Sequence, residues 1–293
     1  MRKQITRRTF LLEGLLATGA LGGLAGCSTL FRRSSKPQVW ALLSDPHIPG
    51  EGTAPKPSSG LFHFDPEANL KRVVQEIGAR SDFAGVAVTG DLARLTGQPN
   101  DYVRFHEILA PLSERGPVLL AMGNHDRREN FSKTFTDPDG KPQPVEGKRV
   151  RVAEGKECLF VVLDSCRGDE KDEGELGEAQ KVWLSGFLEK TPDRKPVLLL
   201  VHHTPEDLPD LLKIARPARQ VKAIVFGHSH VWGCAEQEGL HLVNLPAIGY
   251  SFAEKEPVGW IEAALGREEG VFTLHVVGGG RERDGETRRL RWR

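Results

Sequence analysis

The sequence predicts an α/β fold, and three observations lead to this prediction. Several short apolar runs have the composition of strands that are buried on both faces of a parallel sheet. A segment with the apolar spacing of a helix, residues 65–79, lies between two of these runs. The runs end in residues that can bind metal ions or transfer protons, and α/β proteins place such residues at the carboxyl ends of their strands.

Length and composition are typical of a globular protein. The chain has 293 residues, which favours one large domain over two small ones. Apolar residues make up 39% and charged residues 27%, so most of the chain is predicted to be neither disordered nor embedded in a membrane. The 40 basic and 40 acidic residues cancel, and this balance gives no support for nucleic acid as a partner.

Residues 1–27 have the layout of a bacterial export signal. A basic opening precedes an apolar run from Phe10 to Leu24, which is too short for a comfortable membrane-spanning helix. Within this segment, the stretch from Thr6 to Leu11, with Arg7 and Arg8 at its centre, resembles the twin-arginine signal. The alternative is a buried or tail-anchoring N-terminal helix.

The signal ends in Leu24-Ala25-Gly26-Cys27, which resembles a lipobox. The resemblance implies that Cys27 is lipidated and becomes the first residue of a membrane-anchored protein in the cell envelope, facing the periplasm or the cell exterior. Residues 28–37 are predicted to form a flexible tether, and residues 38–293 the folded domain. The expected partners of the signal are the twin-arginine export machinery and a membrane.

Three further cysteines, Cys158, Cys166 and Cys234, have no metal-type spacing. Cys158 and Cys166 lie at opposite ends of one predicted strand, so they are not expected to pair. All three are predicted to be thiols that pack in the core.

The first two predicted strands end in acidic residues. Val39–Leu43 precedes Asp45 and His47, which on an extended segment can both turn toward one ion. The strand over 83–89 runs into Gly90-Asp91, and the carboxylate of Asp91 can bridge two cations. For each motif alone, an Asp that caps the next segment is the alternative.

The third strand, 117–122, precedes Gly123-Asn124-His125-Asp126. This stretch can carry metal and proton chemistry, or form a hydrogen-bonded loop. Strand 196–201 ends in His202 and His203, which on extended backbone would point to opposite sides, so one of them is expected to face the site. Strand 221–226 ends in Gly227-His228-Ser229-His230, where the same alternation places His228 and His230 on one side.

The remaining segments are predicted to support the fold. Helices are expected over 65–79 with Asp65 as N-cap, over 102–112, and from Gly174 onward with an apolar face formed by Leu176, Ala179, Val182 and Trp183. Residues 130–155 are predicted to form an excursion or hairpin. A strand over 159–163 ends in Asp164, which is assigned either a structural role or a role in supporting the metal ligands. Strands over 240–245, 260–265 and 271–277 precede a solvated charged tail, 281–293.

Five strand ends thus carry carboxylates, imidazoles and one amide. Ligands in α/β sheets gather at the carboxyl ends of strands, so these groups are expected to converge. Such a donor set suits two divalent ions that share a bridging Asp and activate water for attack on phosphorus.

In this order the motifs resemble the calcineurin-like metallophosphoesterase superfamily, across residues 38 to 277. Gly174, Leu176, Gln180, Trp183 and Leu184 are similar to a helix of its cyclic-nucleotide-phosphodiesterase-like and purple-acid-phosphatase-like branches. The resemblance implies a four-layer α-β-β-α sandwich with two mixed β-sheets flanked by helices.

The resemblance also implies roles for single residues. It implies a first metal ion bound by three side chains, Asp45, His47 and His230. It implies a second metal ion bound by Asn124, His202 and His228. Asp91 would bridge the two ions, and His125 would assist departure of the leaving group. His202 is favoured over His203 because the family places the ligand first in His-x-Pro-Pro, although this chain has His-His-Thr-Pro.

The predicted activity is hydrolysis of a phosphodiester by a hydroxide that bridges the two metal ions. Mn, Fe and Zn all suit this donor set. The expected substrate is a small phosphate ester. The alternatives are a phosphomonoesterase that uses the same residues, a nuclease, and a surface-tethered binding lipoprotein without catalytic activity.

Overall fold

The computed structural model describes residues 36–52, 60–136, 142–168 and 172–293. The predicted signal segment 1–27, its Cys27, and most of the predicted tether 28–37 lie outside these residues. Within the described part of the chain, no helix combines the length and the apolar character that a membrane span requires.

Two mixed β-sheets form the centre of the protein. In sheet order, the strands of the first sheet are β12 (Thr287–Arg291), β11 (Glu269–Gly278), β10 (Val258–Leu265), β1 (Gln38–Leu43), β2 (Phe83–Val88) and β3 (Val118–Leu120). Those of the second are β4 (Arg151–Glu154), β5 (Leu159–Val162), β6 (Val197–Leu200), β7 (Val221–Phe226), β9 (Leu240–Asn244) and β8 (Gly233–Gln237). β1, β2 and β3 are parallel to one another, as are β5, β6, β7 and β9.

Helices cover the outer faces of the sheets. They are α1 (Pro66–Gly78), α2 (Pro99–Ser113), α3 (Arg128–Thr134), α4 (Glu178–Lys190) and α5 (Pro209–Ala215). Alternation along β1 separates two cores: Leu42 packs between the sheets with Phe160, whereas Leu43 packs outward with Leu70 of α1 and Phe105 of α2. A third core lies between the second sheet and α4 and α5. The predicted four-layer α-β-β-α sandwich is confirmed.

The predicted helix at Gly174 is wrong in its start and in its apolar face. α4 begins at Glu178, so Leu176 precedes the helix, and Val182 is 64% exposed. The buried positions of the helix are Gln180, Leu184 and Leu188. The amide of Gln180 can be buried at little cost because all its hydrogen bonds are made within the protein. It accepts from the Asp164 N–H and donates to the Asp164 and Leu176 carbonyls.

The C-terminal segment 281–293 is largely exposed, as predicted, but the prediction missed the strand within it. After a short 3₁₀ turn over Arg281–Arg283, strand β12 pairs antiparallel with β11. The guanidinium of Arg293 donates hydrogen bonds to the carbonyls of Ala215, Ala218 and Val221. The sequence pattern did not indicate this strand because an edge strand exposes much of its surface to water and can therefore consist of charged residues.

The chain order places five strand ends close together. β1, β2 and β3 of the first sheet and β6 and β7 of the second end near one another across the sandwich. Short loops follow each of these strands, and they carry the polar residues that the sequence analysis singled out.

Gly85 is expected to be required for packing between β1 and β2. A Cβ at Gly85 would lie 2.5 Å from the Trp40 ring and 2.8 Å from the Pro117 carbonyl oxygen. Gly85→Ala should therefore lower the free energy of unfolding by about 1–3 kcal/mol, measured by urea denaturation. The control is Gly186→Ala in α4, where a Cβ meets no atom within 4 Å. This change should raise the free energy of unfolding by about 0.5–1 kcal/mol. Equal effects of the two substitutions would contradict the packing argument.

Candidate metal centre

The side chains at the five strand ends form one buried cluster. Within the described residues, three groups of His and Asp side chains have ligand atoms close enough to hold a metal ion. The groups are Asp45-His47-His230, His47-Asp91-His125 and Asp91-His202-His228. Because His47 and Asp91 each belong to two groups, the three groups are continuous.

In the first group, the ligand atoms of three side chains lie close to one another. The Nε2 atoms of His47 and His230 lie 3.2 Å apart, and the Asp45 Oδ1 atom is 3.3 Å from the Nε2 atom of His230. Asp45 Oδ1 is buried and has no hydrogen-bond partner. A buried carboxylate oxygen without a partner is costly, so this donor set fits a cation.

Asp91 occupies the centre of the cluster. Its Oδ2 atom lies 3.6 Å from His47 Nε2, 3.4 Å from His202 Nε2 and 4.0 Å from His125 Nε2. Its Oδ1 atom accepts a hydrogen bond of 2.9 Å from the backbone N–H of His125. One carboxylate oxygen thus faces imidazoles from both ends of the cluster.

The second end of the cluster adds Asn124. The Oδ1 atom of Asn124 lies 3.0 Å from His202 Nε2, while its amide nitrogen is 3.4 Å from Asp172 Oδ1. The ring of His228 lies 5.1 Å from that of His202. The amide oxygen of Asn124 is therefore turned toward the imidazoles.

Backbone carbonyls orient four of the imidazoles. The Nδ1 atoms of His47, His125, His202 and His230 lie 3.4, 2.7, 3.1 and 2.9 Å from the carbonyl oxygens of Arg94, Leu95, Thr89 and Tyr250, respectively. A carbonyl only accepts, so each Nδ1 carries a hydrogen and each Nε2 is directed toward the cluster. Sequence reasoning missed these four residues, since a backbone carbonyl leaves no signal in the side-chain pattern.

The loops that hold the cluster have unusual backbone conformations. Within the described residues, seven residues other than glycine have positive φ, and five of them belong to the cluster. These five are Asp45, His47, Asp91, His228 and His230. Residues in this region cost of order 1–3 kcal/mol each and concentrate at functional sites.

Two glycines give the carboxylates room. A Cβ on Gly123 would collide with the Asp91 carboxylate, and one on Gly227 would collide with Ser44 and with the Asp45 carboxylate. These collisions explain why glycine precedes Asn124 and His228 in their motifs.

The prediction that His202 and His203 point to opposite sides is wrong. β6 ends at Leu200, and the two rings lie 5.1 Å apart. Both lie within 5.1 Å of the His228 ring. Only His202 faces Asp91; the Nδ1 atom of His203 lies 2.7 Å from the Ser165 hydroxyl.

His228 and His230 both face the cluster, but strand alternation is not the reason. Both have left-handed backbone, with φ of 67° and 55°, so they are not on an extended strand. His230 joins Asp45 and His47, whereas His228 joins Asp91 and His202.

Burial and neighbouring charges shift the pKa values of the imidazoles in opposite directions. Burial lowers the pKa of His47 to about 3, and burial together with the neighbouring His202 lowers the pKa of His228. Burial also disfavours the charged form of His202, but Asp91 outweighs it and raises the pKa of His202 to about 9. For Asp91, burial favours the neutral acid, yet His202 and the other imidazoles hold its pKa well below the ordinary range.

Two buried acids next to the cluster support its loops. Asp126 accepts hydrogen bonds from the backbone N–H groups of Leu92, Ala93 and Gly123, which ties together the loops after β2 and β3. Asp164 accepts two hydrogen bonds of 2.8 Å from the guanidinium of Arg128, in keeping with the structural role predicted for it. The three cysteines are free thiols; Cys158 and Cys166 are buried, and Cys234 is half-buried.

Two sequence comparisons relate the chain to known proteins. A profile of the family described as calcineurin-like phosphoesterase matches residues 40–232. A probable cyclic nucleotide phosphodiesterase of Rhodopseudomonas palustris is 32% identical over an alignment of 206 residues, with 65% of this chain and 71% of that protein covered. A 3',5'-cyclic adenosine monophosphate phosphodiesterase of Haemophilus influenzae is 26% identical over 242 residues, covering 77% of this chain and 82% of the relative.

Solved structures share the fold. A dimetal phosphatase from Danio rerio superposes with a TM-score of 0.64 at 15% identity, over 88% of this chain and 100% of that chain. A purple acid phosphatase from yellow lupin seeds gives a TM-score of 0.65 at 14% identity, over 88% of this chain and 54% of that one. At these identities the similarity shows the fold alone.

Metal binding is expected to release about one proton from the cluster at neutral pH. A histidine ligand binds in its neutral form, and His202, with a pKa of about 9, carries a proton at neutral pH. The lowered pKa values of His47 and His228 mean that these residues are already neutral. The affinity for Mn²⁺ should therefore rise about tenfold per pH unit from about pH 7 to about pH 9 and then level off. Titration calorimetry in buffers of different ionisation enthalpy measures the proton.

The substitution His202→Asn should remove this pH dependence, while Glu189→Ala, at an exposed position of α4, should leave it unchanged. An affinity for Mn²⁺ in the unaltered protein that stays constant over this pH range would contradict the expectation.

Proposed function

Because the chain belongs to the calcineurin-like phosphoesterase family, we propose that its cluster binds two metal ions and hydrolyses a phosphodiester, with a cyclic nucleotide as the substrate. The relatives whose names specify cyclic nucleotides support this choice of substrate. The observation that carries the proposal is the position of Asp91, whose Oδ2 atom faces His47 at one end of the cluster and His202 at the other.

The proposed ligand sets follow the continuous groups of side chains. Asp45, His47 and His230 would hold one ion, and Asn124, His202 and His228 the other, with Asp91 shared between them. When bound, the two ions would activate water as the nucleophile and neutralise charge on the phosphate. Manganese, iron and zinc all suit this mixture of oxygen and nitrogen donors.

The protein's own groups prepare the site for metal ions. The carbonyls that hold the Nδ1 atoms fix the imidazoles in place before substrate arrives, so they do not reorganise during the reaction. With its pKa held low, the Asp91 carboxylate is ionised and available at neutral pH.

His125 is proposed to act on the leaving group. Its side chain is 28% exposed, whereas that of Asp91 is 3% exposed, so His125 lies on the solvent side of the carboxylate. The Leu95 carbonyl holds the Nδ1–H, which leaves Nε2 to carry the proton that passes to the departing oxygen.

The test of the proposed function compares bis-(p-nitrophenyl) phosphate with p-nitrophenyl phosphate. Residues 28–293 should hydrolyse the diester faster than the monoester, lose activity in a chelator and recover it with Mn²⁺. Asp91→Ala should lower kcat/KM by at least about a thousandfold because it removes the shared carboxylate, and the surface control Glu189→Ala should not. Preference for the monoester would identify a phosphomonoesterase instead. The absence of turnover with metal-loaded protein on both compounds and on cyclic AMP would contradict an enzymatic function.

The leaving group tests the role of His125. His125→Ala should lower kcat by about 10²–10⁴ on diesters with poorly acidic alcohols, because these alcohols require a proton to depart. The loss should be at least about tenfold smaller for nitrophenolate, which departs without one. A loss of equal size for both kinds of substrate, measured by steady-state kinetics, would show that His125 has no role as an acid.

We further propose that the protein is exported by the twin-arginine machinery and anchored to a membrane through Cys27, facing the periplasm or the cell exterior. The motif around Arg7 and Arg8 and the lipobox support this proposal. Folding before export would let the site acquire its metal ions in the cytoplasm.

Lipidation is expected to depend on Cys27. In a bacterial host given labelled palmitate, the full chain should carry the label and sediment with membranes. Cys27→Ser should abolish both, and Cys234→Ser, at a half-buried thiol, should retain both. Retention of the label in Cys27→Ser would rule out this anchor.

A further inference from the structure

Exposed apolar side chains are concentrated around the cluster. Within the described residues, seven large apolar side chains are exposed, and four of them lie on segments that adjoin the cluster or pair with a segment that does. These four are Phe62, Leu95, Val231 and Phe252. Single exposed apolar residues are ordinary, but a group of them at the rim of a polar site indicates a binding surface.

Three of the four residues adjoin or contact the cluster, and the fourth, Phe62, pairs with the segment that carries Phe252. Leu95 provides the carbonyl that holds His125, and Val231 follows His230. The ring of Phe252 stacks on that of His230, with centroids 4.5 Å apart and an interplanar angle of 27°. Because Phe252 is also 55% exposed, much of its ring remains available to a ligand beside the first metal group.

The segment that carries Phe252 is held in place. The backbones of Phe62 and Ser251 exchange two hydrogen bonds of 2.9 and 3.0 Å, and the Ser251 hydroxyl donates to the Ala253 carbonyl. The ring of Tyr250 lies 4.6 Å from that of His230 and 5.6 Å from that of Phe252. An aromatic side chain on a fixed segment binds with little loss of conformational entropy.

The buried guanidinium of Arg94 packs against aromatic rings on the same side of the cluster. The Arg94 guanidinium carbon lies 4.8 Å from the centre of the Phe64 ring and 5.5 Å from that of Tyr250. Arg94 is 4% exposed, and its Nε atom has no hydrogen-bond partner. Its stacking holds Tyr250, whose ring in turn packs against His47 and His230. The rings of Tyr250 and Phe252 are therefore packed in fixed positions, with the charge of Arg94 behind Tyr250.

We propose that Phe252 is a specificity-determining residue that stacks on a planar aromatic ring of the substrate while the phosphate occupies the metal cluster. The proposal rests on the proposed function, and it adds that a flat ring, such as a nucleobase, contributes to selection. The exposed face of Phe252 favours a planar group over an alkyl chain, because stacked rings bury both flat faces.

The experiment measures equilibrium binding to the metal-loaded protein by calorimetry. The probes are adenosine 5'-monophosphate, ribose 5-phosphate, which has the same phosphate without the ring, and hexyl phosphate, which is apolar but not planar. The unaltered protein should bind the adenosine compound about tenfold more tightly than either other probe.

Variants separate stacking from general apolarity. Phe252→Ala and Phe252→Leu should reduce the preference for the adenosine compound at least about fivefold, and Phe252→Trp should retain it. Binding of ribose 5-phosphate should change less than about twofold in all three. Val182→Ala, at an exposed position on α4 outside the cluster, is the control and should behave as the unaltered protein.

Four results would overturn the inference. They are the absence of detectable binding of the adenosine compound, an unchanged preference in Phe252→Ala, equal weakening of both sugar phosphates, and binding of hexyl phosphate as tight as that of the adenosine compound. Binding does not require turnover, so the inference and the proposed function fail separately. A protein that stacks the ring but hydrolyses no diester refutes only the proposed function.

Discussion

The geometry of the site depends on hydrogen bonds between imidazole Nδ1–H groups and backbone carbonyls. Such bonds fix the tautomer and the ring direction of His47, His125, His202 and His230 at once. A side chain as an acceptor could rotate away, but these carbonyls belong to the backbone. Those of Thr89, Arg94 and Leu95 lie in the loop between β2 and α2, and that of Tyr250 lies between β9 and β10. The directions in which the four Nε2 atoms point are therefore set by the backbone of the sandwich.

This arrangement is costly for a protein without metal. Asp45 and Asp91 are buried carboxylates, and Asp45 keeps one oxygen without a partner. Five residues of the cluster also occupy the left-handed backbone region. Strain and unpaired charge persist only where the surrounding structure is rigid, and two packed sheets with three cores provide that rigidity.

Hydrogen bonding distinguishes the acids that serve the fold from those that face the cluster. Asp126 and Asp164 use their oxygens on backbone N–H groups and on Arg128, so they are satisfied without a metal ion. Asp45 and Asp91 direct oxygen atoms toward imidazole Nε2 atoms instead. Both kinds of acid follow a strand, so they can be told apart only by the groups that their oxygens contact.

The sequence by itself determined the buried strands, the class of fold and the list of polar residues at the strand ends. Apolar runs and turn-forming glycines are local properties, so they can be recognised without the structure. Alternation could not place His203 or His228, because the backbone leaves the extended conformation directly after β6 and β7. It also could not reveal strand β12 or the exposed side of Val182, since edge pairing and helix burial depend on distant neighbours. Tertiary structure alone decided which imidazoles share a carboxylate, because residues from Asp45 to His230 meet only when two sheets pack face to face.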